Sequence, residues 1–99
     1  MRRGTTPTHT ITTDIDLTGA DVIYLTYQQG CRNVLDLDAS RLTVTEEQIE
    51  VTLTQAETLA FDRRRDVSIQ IRARFPDGSA VASNIMTTTA EEILKDGVI

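Results

Sequence analysis

The chain has 99 residues, a formal charge of -5, 39% apolar residues, 25% charged and only 4% aromatic. A chain of this length buries about 60–68% of its unfolded surface, which is enough for one modest core and excludes a second domain. The composition excludes a solvated disordered chain, no stretch approaches the ~18 consecutive apolar residues of a membrane span, and an acidic balance disfavours nucleic acid as a partner because phosphate neutralisation needs a basic surface.

Residues 1–7, with Arg2 and Arg3, are polar and read as an N-terminal arm. The first thirty residues hold no continuous apolar h-region, so no signal peptide is expected. Thr8 to Ile15 reads as an opening strand with Ile11 and Ile15 as its apolar points. Thr recurs throughout (Thr8, Thr10, Thr12, Thr43, Thr45, Thr52, Thr54, Thr87 to Thr89), and its branched Cβ suits a pleated, half-exposed surface. Asp16-Leu17-Thr18-Gly19-Ala20 is a turn. Val22 to Gln28 carries apolar residues on both faces and is placed centrally. Gln29-Gly30 turns the chain, and Val34 to Leu37 is a short strand. Arg41 to Thr45 alternates through Leu42 and Val44, and Ile49 to Thr54 alternates strictly.

Thr54-Gln55-Ala56-Glu57 fits a capping box, predicting one or two helical turns near 54–60 that cross the end of a sandwich. Val67 to Phe75 alternates over nine positions, with Val67, Ile69, Ile71, Ala73 and Phe75 on one face. Pro76-Asp77-Gly78 supplies a type I turn with a bulge, returning through Ala80 to Thr88. Thr89-Ala90-Glu91-Glu92 fits a second capping box, so residues 90–99 read as a short helix or a tail. Strands with one wet side predict an antiparallel sheet. About seven of them with close turns predict an all-β sandwich over residues 8–89.

Each chemical feature has a plainer structural reading beside it. His9 is the one His, and a general base is most often His; its polar surroundings place it on an exposed strand or arm instead. Cys31, the one Cys, excludes an intrachain disulfide and reads as an incidental thiol. Asp14 to Gly19 partly matches a calcium loop, but Leu25 stands where the closing Glu belongs, so a strand-ending turn is expected. Asp36 and Asp38 share a strand face, which fits a cation or an acid/base pair and fits a solvated face better. Arg63-Arg64-Arg65 lies between Asp62 and Asp66 and reads as a solvated loop or an ionic subunit contact. No phosphate loop, dinucleotide fingerprint or nucleophile elbow is present, so no enzyme activity, cofactor or metal is expected.

Asp16-Leu17-Thr18-Gly19-Ala20 running into Val22-Ile23-Tyr24-Leu25 resembles a turn and strand of small immunoglobulin-like domains in bacteriophage virion proteins. Val51-Thr52-Leu53-Thr54-Gln55-Ala56-Glu57-Thr58-Leu59-Ala60-Phe61 looks like the strand and capped helix of the phage baseplate upper protein N-terminal domain. The strand Val67 to Phe75, the Asp77-Gly78 turn and the return strand Ala80 to Thr88 follow in the same order as in that family. Met1 to His9 also looks like the start of small prophage proteins of Gram-positive bacteria.

The resemblance implies an immunoglobulin-like sandwich acting in virion structure or assembly, in the tail, baseplate or head, located in the virion or the bacterial host cytoplasm. Its partners would be other phage structural proteins or further copies of itself, with no nucleic acid and no membrane. Edge strands would carry the contacts, from Thr8 to Thr13 and from Ala80 to Thr88. Charge and exposure patterns single out Arg2, Arg3, Arg72, Arg74, Ile93 and Ile99 as candidate contacts. The alternative is a glycan- or receptor-binding module on a virion surface. It would need an aromatic platform, and Tyr24 and Tyr27 fall on opposite strand faces.

Overall fold

A computed structural model describes all residues, 1–99. Eight strands and one five-residue helix make two antiparallel sheets. The smaller sheet has the order β1 (Thr8–Thr12), β5 (Gln48–Thr52), β4 (Thr43–Val44). The larger has the order β3 (Arg32–Asp38), β2 (Val22–Gln29), β6 (Arg65–Arg74), β7 (Ala80–Ala82). The last strand, β8 (Met86–Ala90), also pairs with β6, beside the half that β7 leaves free. The helix α1 (Gln55–Leu59) links β5 to β6 and so carries the chain from one sheet to the other. This is an immunoglobulin-like strand order from the second strand onward. The first strand of that order has no regular counterpart here.

Two-residue alternation builds the interior. On β6, Val67, Ile69, Ile71 and Ala73 are buried while Asp66, Arg72 and Arg74 face water. On β5, Ile49 and Val51 are buried between exposed Glu50 and Thr52. On β2, Ile23, Leu25 and Tyr27 turn inward. Leu53 and Phe61 flank α1 and join the same cluster. Each large side chain that leaves water in this way contributes about 1.5–3 kcal/mol. The aliphatic interior is reinforced by Tyr27, whose ring lies edge-on to Phe61 at 5.9 Å.

Local chemistry sets the connections. Thr54 accepts from Glu57 N at 3.1 Å, and Glu57 accepts from Thr54 N at 2.8 Å, which completes the capping box. Arg41 grips the same Glu57 carboxylate at 2.7 Å through both its Nη atoms. Those bonds hold Glu57 down at about 2, against the opposing effect of partial burial. At the β6–β7 turn, Gly78 N donates to Phe75 O at 2.9 Å, and Gly78 has φ +89°, the left-handed conformation a side chain resists.

Several expectations are corrected. Residues 1–7 do not project as an arm: Arg2 forms a parallel bridge to Glu91, and Gly4 lies under Ile93. Sheet pairing supplies main-chain partners that a free arm would have to find in water. The second capping box forms no helix. Ala90 is fully buried at the end of β8, and Glu92 is engaged by Arg63 and Arg64. A helix nucleus is costly, and here three of the four residues are already committed to strand pairing. Residues 90–99 are therefore a tail after Ala90.

The remaining differences are of extent. The opening strand stops at Thr12, and Arg41 closes a 3-10 turn, Ala39–Arg41, capped by Asp38. Ala80 to Thr88 is two strands, because Ser83 Oγ replaces the next ladder partner by accepting from Ile71 N at 3.0 Å. β3 runs to seven residues and is longer than its apolar core alone indicates.

Two stability effects follow. Leu53→Ala is expected to lower unfolding free energy in urea by about 2–5 kcal/mol, since the side chain is fully buried. Thr54→Ala is expected to cost about 1 kcal/mol in the same measurement through loss of the cap.

Candidate protein-docking site

The six contact candidates fall in two separate places, and the expected edge strands form a third. Arg2, Arg3, Ile93 and Ile99 gather at the pole that holds α1 and both chain ends. There the N-terminal ammonium donates to Thr89 O at 2.9 Å, Arg2 pairs with Glu91 at 2.9 Å, and Glu91 N donates to Met1 O at 2.8 Å. Arg3 is turned inward: its Nε donates to Phe61 O at 2.7 Å and its Nη2 to Leu59 O at 3.1 Å. Arg3 thus holds the end of α1 and belongs to the fold. Ile93 is half-buried over Gly4, whereas Ile99 is 87% exposed with its main chain tied to the Gln55 amide.

Arg72 and Arg74 lie on the solvent face of the larger sheet. Register sets Asp38, Tyr24, Arg72 and Ala82 in one row across β3, β2, β6 and β7. Asp36, Thr26 and Gln70 form the next row. This face is a shallow depression of about 550 Å³. Much of its polarity is already satisfied: Thr26 donates to Asp36 at 2.5 Å, Gln28 to Asn33 at 2.9 Å, and Gln70 to Ser83 O at 3.0 Å. Arg74 sits 3.7 Å from Asp21. Tyr24 is the one aromatic here, because Tyr27 points into the core, as the spacing of three requires.

The third place lies between the two edges expected from the sequence, Thr8 to Thr13 and Ala80 to Thr88, and the groove that separates them is new. β1 is an edge strand, paired only with β5. Pro7 O accepts from Leu53 N, and Thr13 N donates to Glu47 O. Odd-numbered residues of this stretch therefore turn their main chain toward β5, and Thr8, Thr10 and Thr12 turn theirs outward. Across the gap, Ser83 N donates to Ile71 O and Phe75 N to Ser79 O, so Ala80 and Ala82 on β7 also turn outward. Between these two rims lies an apolar groove of about 300 Å³ lined by Ile11, Ile15, Leu17, Val81 and Met86. Thr13 Oγ1, also in its lining, is buried without a hydrogen-bond partner. Ile15 remains 47% exposed at its mouth.

The groups tested for chemistry are used elsewhere. His9 is not an exposed arm residue: it is half-buried on β1, its Nδ1 2.7 Å from Tyr27 Oη and its ring stacked at 5.7 Å. Burial, and then the charge of the N-terminal ammonium, press its pKa below 6.5. Burial raises the Tyr27 phenol well above its ordinary range. Asp16 accepts from Thr18 N at 2.9 Å and closes its turn, and Asp38 caps the 3-10 segment. Arg63 and Arg64 converge on Glu92, while Arg65 reaches Asp62 at 3.2 Å. Cys31 is exposed at the β2–β3 turn. No three His, Cys, Asp or Glu side chains converge as a metal site would require. No helix is long and apolar enough to cross a membrane.

Compared with protein-family models, curated proteins and solved structures, the chain matches none.

The half-buried His9, in contact with Tyr27, gives stability a slope with pH. The unfolded chain takes up a proton below pH 6.5 that folded His9 resists. Stability from this group is complete above pH 6.5 and declines as pH falls beneath it. Urea midpoints are expected to drop between pH 7 and about 5.5, above the carboxylate range, and His9→Gln is expected to flatten that slope.

Proposed function

We propose that this protein is a non-enzymatic structural or assembly component of a phage or prophage, working through protein–protein contacts at its strand edges. The observation that carries the contact mechanism is the open β1 edge, where Thr8, Thr10 and Thr12 present unpaired main-chain groups. The phage assignment is supported by the sequence resemblance of the Val51 to Phe61 element and the strands after it. A β-sandwich filled by aliphatic side chains, with its titratable groups in turns, caps and ion pairs, suits a scaffold. On this reading the protein acts in the virion or in the host cytoplasm during assembly. A glycan-binding role ranks second, because Tyr24 stands alone on the polar face and offers no paired platform.

The test couples an edge variant to a binding measurement. Thr10→Pro removes an outward N–H and leaves the β5 ladder intact, so its melting curve is expected to match the parent. Co-purification with products of neighbouring genes, or self-association by light scattering, is expected for the parent and reduced at least tenfold in Thr10→Pro. Mass spectrometry of particles from an induced host should find the chain. A strict monomer that binds no co-encoded protein overturns the proposal.

A further inference from the structure

The groove between β1 and β7 has the form of a vacant strand position. In the immunoglobulin order a first strand lies between these two edges. Here residues 1–3 cover only the far end of that seam, bonding to Thr89 and Glu91 beyond it. Ile11, Ile15, Leu17, Val81 and Met86 are left lining an open channel. Its rims are main chain, from Thr10 and Thr12 on one side and Ala80 and Ala82 on the other. Rims of that kind fit an extended strand, because only a strand offers main-chain partners at the spacing of a rim while inserting alternate side chains.

We infer that the occupant is the tail of a second copy, residues Leu94–Ile99, a reading that rests on the edge-docking function proposed above. The tail is the most apolar exposed segment of the molecule: Leu94 is 101% exposed, Val98 66% and Ile99 87%. Alternation sets Leu94, Asp96 and Val98 on one face, two apolar anchors around a carboxylate. Thr13 Oγ1 is the unpaired donor of the groove, and Asp96, which exchanges its 3.8 Å contact with Arg3 of its own chain on docking, brings an acceptor to it.

Charge agrees. Lys95 is the one lysine of the chain and has no ion pair. The groove end carries carboxylates that are likewise unpaired: Asp14 in its lining, and Glu46 and Glu47 in the turn that receives Thr13 N.

Topology makes the contact intermolecular. β8 runs away from the groove and releases the tail at the opposite pole of a molecule 48 Å long. Tail and groove are different surfaces, so the contact is head-to-tail and propagates into rings or filaments.

Light scattering across a concentration series tests this on the full chain. The parent is expected to exceed one chain in apparent mass, rising with concentration. Leu94→Asp removes a donor anchor and Ile15→Asp blocks the groove. Both positions are exposed, so both variants are expected to keep the parental melting curve and to remain single chains. Mixed together they are expected to form a dimer and stop there, since one supplies the tail and the other the groove. A synthetic peptide of residues 91–99 is expected to cap the growth of the parent.

A parent that stays monomeric overturns the inference. So does association that survives Leu94→Asp. If that surviving association is lost in Thr10→Pro, edge docking stands and only the tail as occupant falls. Association indifferent to both variants removes the edge reading as well.

Discussion

A single layer of hydrocarbon between two sheets governs everything else in this molecule. Leu25, Tyr27, Ile49, Leu53, Phe61 and Val67 are at most 1% exposed, and they come from both sheets and from the two ends of the crossing helix's connection. A chain this short builds only one such layer. Side chains from alternate positions fill it from both sheets.

The polar groups that do enter the interior serve to close it. His9 reaches Tyr27 across the two layers. Gln29 is 2% exposed, and its amide exchanges two hydrogen bonds with the Asp62 main chain, at 2.8 and 2.7 Å. Thr58 is fully buried in α1 and donates to Thr5 O at 2.9 Å, tying the N-terminal segment to the helix. A buried polar group without a partner costs far more than a typical bond returns. These contacts consequently fix the loops around α1 in one arrangement. Arg3 does the same from the other side by donating to Phe61 and Leu59. The result is a firm pole around α1, while the groove toward the other pole has unpaired rims and one orphan hydroxyl.

Sequence reasoning reaches the local parts of this picture and stops at the non-local ones. Val67 to Phe75 is readable because nine positions keep a two-residue period, and Thr54 to Glu57 because a capping box is complete within four residues. Pro76-Asp77-Gly78 is readable for the same reason. Arg3 looks like an exposed arm residue because its acceptor, Phe61 O, lies 58 positions away. His9 looks solvated because its neighbours in the chain are Thr, while its neighbours in space are Tyr27 and the chain end. Thr89 to Glu92 satisfies a helix signal locally and is overruled by pairing with Asp66, Arg64 and Arg2. The groove is harder still, since it exists only as a gap between edges of two different sheets.

The interruption at Ser83 divides the outer edge of β6 into a three-residue strand and a five-residue strand, separated by the irregular residues Asn84 and Ile85. Cross-β stacking needs an uninterrupted template of about six or seven residues. By spending one serine hydroxyl on a ladder position, the chain presents its Thr-rich C-terminal edge as two short templates in place of one long one.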